Sequence, residues 1–86
     1  MSTIKIKKTD LSSVRSLLMG APFNCEEKSI NYGIQYTCVS GIKCNIHYSD
    51  KNPETLKVHI QNGEKDLEQK QILEFNLSSF EIREAI

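Results

Sequence analysis

The sequence lacks the features that mark membrane proteins and several large classes of enzyme. No apolar run approaches the roughly 20 residues of a membrane-spanning helix, and the opening stretch MSTIKIKK has no apolar centre of the kind found in signal peptides. A P-loop, a nucleophile elbow and a glycine-rich dinucleotide loop are all missing. We therefore expect a cytoplasmic protein that has no membrane partner, is not an enzyme and requires no cofactor.

Cysteine occurs three times and is not arranged as a metal-binding knuckle. Cys25, Cys38 and Cys44 are odd in number and include no paired C-x-x-C spacing. A structural zinc site needs four convergent ligands. His47 lies an odd number of positions from Cys44 on one predicted strand, so the two side chains point to opposite sides of a sheet. We expect no bound metal and interpret the thiols as reduced core residues.

Net charge is absent as well, although the charges are distributed unevenly. The 86 residues have a formal net charge of +0 and 26% charged residues, a composition that predicts one folded domain over residues 1–86. Positive residues exceed negative ones over residues 1–23, and the reverse holds over residues 64–86. Bulk charge therefore does not predict nucleic-acid binding, which would require a local basic face.

Hydrophobic periodicity predicts an α+β fold. Alternating isoleucine and lysine near the N-terminus predict a first strand. Asp10 then resembles the N-cap of a helix that Gly20, as a C′ glycine, and Pro22 bring to an end. From residue 30 the apolar period becomes two, which predicts three strands, with a turn at residues 50–54 between the last two. We expect an antiparallel sheet of four to five strands with an N-terminal and a C-terminal helix on one face.

The segment after Asn62-Gly63 supports two interpretations. Residues 64–71 are almost wholly polar, and the alternation in LEFNL at residues 73–77 favours a strand. SSFE at residues 78–81 matches a capping box and predicts a short terminal helix. The rival interpretation is one longer helix over about residues 65–86, and we prefer the strand followed by the helix.

Side-chain faces determine the register of the central hairpin. A two-residue turn at Ser40-Gly41 would place lysine, asparagine and histidine on the apolar face, because a slip of one residue flips every side chain. A three-residue loop over residues 39–41, with Gly41 left-handed, avoids this conflict. The resulting pairs are Cys38 with Ile42, Tyr36 with Cys44, Ile34 with Ile46 and Tyr32 with Tyr48, followed in the next strand by Ile46 with Val58 and Cys44 with Ile60. In this register Cys38 and Cys44 are diagonal neighbours, typically ~7–8 Å apart at Cα, too far for an unstrained disulfide.

The opposite, outer face of these three strands is the candidate binding surface. It carries lysines, histidines and carboxamides but no carboxylate, because all eleven acidic residues are assigned to other segments. Lysine can contact phosphate, and carboxamides can donate to and accept from polar base edges. A solvated sheet face that binds nothing has a similar composition. The candidate nucleic-acid-binding residues are Gln35, Lys43, Asn45, His47, Lys57, His59 and Gln61, and Asn31, Gly33, Thr37 and Thr55 share their face.

The predicted positions of the tyrosines and histidines determine whether the outer face could stack bases or cleave RNA. Single-strand binders usually expose stacking rings, whereas Tyr32, Tyr36 and Tyr48 are predicted on the inner face. The register pairs His47 with Lys57 and leaves His59 diagonal to His47. Two histidines and a lysine within reach of one phosphate could cleave RNA, so a histidine-based ribonuclease is one alternative function.

The run YGIQYTCVSGIKCNIHYSDKNPETLKVHIQNG has the cadence of strand, short turn, strand, longer turn and strand ending in glycine. It resembles the small TBP-like domains at the start of type III ribonucleases H and in the RNase LS toxin family, which bind nucleic acid or an inhibitory partner without cleaving. The polar stretch after Gly63 departs from that pattern, in which a helix follows. The composition also resembles accessory proteins of AT-rich bacteriophages, some of which block toxin–antitoxin nucleases.

These observations lead to one expected function and two rivals. We expect a non-enzymatic module that binds RNA or another nucleic acid through its outer face and modulates an RNA-processing or toxin nuclease. The first rival is a protein–protein inhibitor, antitoxin-like, that uses the acidic C-terminal segment, and the second is the ribonuclease. An edge strand of so small a sheet could also pair with a second copy in a homodimer.

Overall fold

A computed structural model describes residues 2–48 and 53–82 of the chain. The strands are β1 (Ser2–Lys7), β2 (Glu26–Ile30), β3 (Gly33–Thr37), β4 (Lys43–Tyr48) and β5 (Thr55–Gln61), and the helices are α1 (Leu11–Met19) and α2 (Leu67–Ser78). The strands form one antiparallel sheet in the order β1-β5-β4-β3-β2. Both helices cover one face, which confirms the predicted α+β class. No helix within the described residues is long and apolar enough to cross a membrane.

The predicted register of the central hairpin is confirmed. The Cys38 amide donates to the Ile42 carbonyl at 2.8 Å, and the Gly41 amide donates to the Cys38 carbonyl at 2.9 Å. Gly41 has a φ of 95°, the left-handed conformation that the three-residue loop requires. Tyr36 lies opposite Cys44, and the predicted pairing of β4 with β5 is found as well.

The single strand predicted to begin at Ile30 is wrong, because a two-residue turn interrupts it. β2 ends at Ile30, Asn31 and Tyr32 form the turn, and β3 begins at Gly33. Ile30 pairs with Gly33 and so belongs to the outer face, and Tyr32 is exposed in the turn. β2 has the sequence EEKSI and no buried residue. An edge strand that is solvated on both faces shows no period-two apolar pattern, so the pattern could not reveal it.

The strand predicted at residues 73–77 is also wrong, since this segment lies inside α2. Leu73 and Leu77 are buried at helical spacing, whereas Phe75 between them is 78% exposed. Asp66 is the true N-cap, and its side chain accepts a hydrogen bond from the Gln69 amide at 3.0 Å. The rival prediction of a helix beginning near residue 65 was the better one, although α2 ends at Ser78.

The predicted capping box at residues 78–81 is at a helix end and not a helix start. The hydroxyl groups of Ser78 and Ser79 donate back to carbonyl groups of α2 at 2.6 and 2.9 Å. The chain then returns to the sheet, where Glu81 forms a bridge with Ile6 and the Ile82 amide donates to the Lys5 carbonyl at 2.8 Å. Glu81 and Ile82 thus cover part of the outer edge of β1.

At the N-terminal helix the boundaries agree with the prediction, but the capping does not. Asp10 precedes α1 without a side-chain capping bond, and Gly20 follows it with a φ of −93°, which any residue can adopt. Val14 and Leu18 face the core. At the predicted turn of residues 50–54, Pro53 and Glu54 form a turn, and its earlier residues lie outside the described ranges.

The core fills the space between the sheet and the two helices. Its centre is the inner face of the hairpin, where Tyr36 and Cys44 are both fully buried. The three cysteines are unpaired thiols buried in this core, as the sequence predicted. The sheet face that lies away from the helices is left open, and it holds the candidate site.

Candidate functional site

The seven predicted site residues all lie on the open face. On β4 and β5, Asn45 lies opposite His59, and His47 lies opposite Lys57. Lys43 pairs with Gln61 in the same ladder, and Gln35 pairs with Asn45 from the other side. Directly opposed residues share one face of an antiparallel sheet, so the register brings these side chains into one continuous patch.

Two further lysines, which sequence reasoning did not assign to this face, extend the patch along β1. Lys5 lies directly opposite Lys57, and Lys7 lies opposite Thr55. β1 was predicted as a strand, but its partner was not, because pairing between chain segments so distant in sequence leaves no local signal. Like charges directly opposite each other destabilise a strand pair. The pairing of Lys5 with Lys57 therefore places two like charges beside each other on the open face.

The outer face predicted to lack carboxylates was that of three strands, and the unpredicted strand β2 adds one carboxylate at its edge. β2 contributes Glu26, which lies opposite Thr37, and Lys28, which lies opposite Gln35. Both are exposed. Glu26 is on the outermost strand, whereas Lys57 lies on β5, three strands away. The carboxylate therefore borders the patch and leaves its centre positive.

Aromatic rings are present on the open face, contrary to the sequence prediction. Tyr32 contacts His47 edge-on, with ring centroids 4.7 Å apart and planes at 79°. The prediction that Tyr32 points inward is wrong because this residue sits in the turn between β2 and β3 and is 60% exposed. Tyr48, the last residue of β4, is also largely exposed, so Tyr36 alone of the three tyrosines is buried. The ring of Tyr32 is available for stacking.

The two histidines continue this row of rings toward β1. The ring centroids of His47 and His59 are 4.7 Å apart with an interplanar angle of 46°, and Thr3 Oγ1 lies 2.9 Å from Nδ1 of His59. Rings at this separation are in contact, so the two imidazoles would have to move apart to hold a phosphate group between them. The row instead presents Tyr32, His47 and His59 side by side.

Protonation of His47 is opposed by its surroundings. Burial lowers the pKa of His47, and the neighbouring His59 and Lys57 lower it further because they repel a second positive charge. The lowered pKa favours the neutral imidazole, which can both donate and accept a hydrogen bond. A bound phosphate would supply negative charge beside it and oppose this shift.

Asn45 occupies the middle of the patch and carries an unsatisfied group. Its side chain is only 4% exposed, and its Oδ1 atom has no hydrogen-bond partner among the residues that the structure describes. An unpaired buried polar atom costs about 1–3 kcal/mol. This oxygen, on the strand position opposite His59, is therefore available to accept a hydrogen bond from a donor.

Metal-ligating residues are kept apart by the sheet. Cys44 is buried on the helix-covered face, whereas His47, on the same strand, lies with His59 on the open face. Within residues 2–48 and 53–82 no three side chains of the metal-binding types converge.

Comparison with known proteins adds no relative. The chain matches no protein-family model, no curated protein and no solved structure.

Proposed function

We propose that this protein is a non-enzymatic binding module of the cytoplasm that takes single-stranded RNA on the open face of its sheet. In this role it modulates an RNA-processing or toxin nuclease. The observation that carries the proposal is the positive centre of the face, where Lys5 opposes Lys57 next to His47. A polyanion would neutralise the charges of both ammonium groups.

The rings and the amides of the same face support a single strand over a duplex. Tyr32 and His47 lie edge to face beside the lysines, and unpaired bases stack on such rings whatever their sequence. Asn45, Gln35 and Gln61 can contact base edges or the ribose hydroxyl. The helix α2 also supports the resemblance to TBP-like domains, since it follows Gly63 where that pattern has a helix.

The experiment is a titration of a fluorescent single-stranded RNA with the protein, followed by anisotropy at several salt concentrations. We expect Lys57→Ala and Lys43→Ala each to weaken binding and to reduce the slope of log K against log salt by about 0.7. The matched control is Lys70→Ala, which removes the same charge from α2 on the other side of the sheet. Equal effects of Lys57→Ala and Lys70→Ala would contradict binding at the open face.

Catalysis is tested with the same samples. RNA incubated with purified protein between about pH 5 and pH 8 is expected to remain intact, because His47 and His59 pack against each other and would have to separate to hold a phosphate between their rings. Cleavage that is lost in His59→Ala but retained in Lys70→Ala would establish the ribonuclease alternative.

A second candidate function, inhibition of a protein partner, is favoured by the outer surface of α2. Phe75 is 78% exposed and Leu67 is 63% exposed, and large apolar side chains on one helix are a feature of docking surfaces. The C-terminal acidic residues that the sequence pointed to include Glu81, which is exposed, whereas Glu84 lies outside the described residues.

A pull-down from host lysate with and without nuclease treatment separates the two functions. A partner captured without RNA and lost in Phe75→Ser supports protein docking, and capture that depends on RNA supports the open face.

A further inference from the structure

Two cysteines that the open face does not use lie against each other in the core. Cys25 directly precedes β2 and Cys38 directly follows β3. Because Glu26 pairs with Thr37, the next step of the same register places Cys25 opposite Cys38. Their Sγ atoms are 2.9 Å apart.

The backbone positions already suit a covalent bond between these sulfurs. Directly opposed residues of antiparallel strands have Cα atoms about 4.5–5.5 Å apart, which falls within the range of about 4.4–6.8 Å found for disulfides. Main-chain hydrogen bonds hold both residues. The Cys25 amide donates to the Leu18 carbonyl at 2.9 Å, and the Cys38 amide donates to the Ile42 carbonyl at 2.8 Å. Closing the bond therefore requires only a small approach of the two sulfurs.

We infer that Cys25 and Cys38 form a site of reversible oxidation, in which a peroxide converts the two thiols into an intramolecular disulfide while Cys44 remains a thiol. This inference is independent of the proposed RNA binding, because it concerns the helix-covered side of the sheet.

The reaction balances in two steps. In the first, the thiolate of one cysteine attacks an oxygen atom of hydrogen peroxide, the O–O bond breaks, and a sulfenic acid and hydroxide form. In the second, the sulfur of the other cysteine attacks the sulfenic sulfur, the S–S bond forms, and the hydroxyl group leaves as water with the thiol proton. The net change is two thiols and one peroxide to one disulfide and two waters. The two sulfurs are oxidised and the two peroxide oxygens are reduced.

Electrostatics distinguish the pair from the third cysteine. The hydrogen bond between the thiols lowers the pKa of Cys38, because it stabilises the thiolate, and raises the pKa of Cys25, which keeps the shared proton. Burial raises the pKa of Cys44 to about 12, so this residue remains a protonated thiol. Cys44 also lies opposite Tyr36 on β3, and its diagonal position relative to Cys38 is too distant for a disulfide.

Because both cysteines are buried, we expect only a small oxidant to reach them. Cys25 is 6% exposed and Cys38 is 3% exposed, so neither can form a mixed disulfide with a bulky thiol without local opening. Hydrogen peroxide is close to water in size. Its reaction is therefore expected to proceed in the folded protein, slowly but to completion.

The test exposes the reduced wild-type protein to hydrogen peroxide until the number of alkylatable thiols stops changing. The sample is then unfolded, its free thiols are alkylated, and the digest is mapped. The expected product has lost two hydrogen atoms, carries one alkyl group on Cys44 and contains a peptide that links Cys25 to Cys38. Dithiothreitol, added to a portion of the unfolded sample before alkylation, should return both thiols of this pair to the reduced form. Cys44→Ala is the matched control and should form the same link, whereas Cys38→Ser should form none.

Three outcomes would overturn the inference. These are a link that involves Cys44 in the wild-type protein, oxidation of Cys25 or Cys38 to sulfinic acid without any link, and complete retention of three alkylatable thiols. Because the decisive measurement uses the unmodified chain, a variant that fails to fold does not change the conclusion.

Discussion

Gly33 is the position where the packing of the sheet can be tested most directly. A methyl group built on Gly33 would lie 1.9 Å from the carbonyl oxygen of Ile46 and 3.0 Å from the Cα atom of His47. Ordinary contact begins at 3.4 Å, so in Gly33→Ala the backbones of β3 and β4 must separate by about 1.5 Å. The substitution therefore acts on the backbone ladder directly beneath the Tyr32–His47 contact.

The expected destabilisation follows from what that separation removes. Two ladder hydrogen bonds at about 1 kcal/mol each are lost or weakened, and fully buried Ile46 is displaced from its contacts. The free energy of unfolding should fall by about 2–4 kcal/mol. For a domain of this size, the midpoint of thermal unfolding should then fall by about 8 °C or more. Circular dichroism during heating, supported by urea unfolding, measures both quantities.

A second glycine provides the control. In Gly20→Ala the new methyl group meets the Ser16 carbonyl oxygen at 3.2 Å, and the φ of −93° is open to alanine. Its effect should remain within about 1 kcal/mol in either direction. If Gly33→Ala unfolds within about 2 °C of the wild-type protein, the close approach of β3 to β4 is not a feature of the folded state.

Two further predictions concern the N-cap of α2 and the ion pair between α1 and β2. Asp66→Ala should lower the free energy of unfolding by about 1 kcal/mol because it removes the cap on the Gln69 amide, and Asp66→Asn, which keeps an acceptor, should restore most of this in urea unfolding. The Arg15 guanidinium at 2.7 Å, followed by the Tyr36 hydroxyl at 2.6 Å, lowers the pKa of Glu27 in the folded state. A folded-state pKa below the unfolded value adds stability above the unfolded pKa, and this is lost as pH falls through the folded value. Glu27→Gln should therefore be less stable than the wild-type protein at pH 7 and should lose less stability on acidification. Parallel pH–stability curves would contradict this.

The elements that were predictable from the sequence are those with one solvent-exposed face and one buried face. In the hairpin of β3 and β4, apolar and polar residues alternate without a break, and only one loop length makes the faces agree. The same parity is sufficient to place His47 and Lys57 on one face. Alternation carries this information because a sheet side chain has only two directions in which to point.

The elements that the sequence pattern did not predict either lack an alternation of apolar and polar residues or show one that indicates the wrong structure. β2 is solvated on both faces, so nothing in EEKSI distinguishes it from a loop. In α2, Leu73, Phe75 and Leu77 alternate as a strand would, although only the two leucines are buried and Phe75 is exposed. An exposed apolar residue at an intermediate position was enough to favour the wrong period.

The missing parts of the site follow from these errors. Lys5 joins the open face through the pairing of β1 with β5, a contact between distant segments that no local pattern encodes. The position of Tyr32 depends on the turn before β3, which the alternation does not reveal. The contact between Cys25 and Cys38 depends on the pairing of β2 with β3. A sequence-based prediction that omits β2 therefore gives no reason to expect the two thiols to meet.

The two edges of the sheet are protected in different ways, and this limits how the protein can assemble. The edge of β1 is occupied in part by the residues that follow α2. The other edge, β2, has no strand beside it within the described residues, and it exposes Glu26, Glu27 and Lys28. Charged side chains on an edge strand oppose the addition of further strands. We therefore expect β2, the strand that the sequence pattern did not predict, to oppose edge-to-edge growth of the sheet.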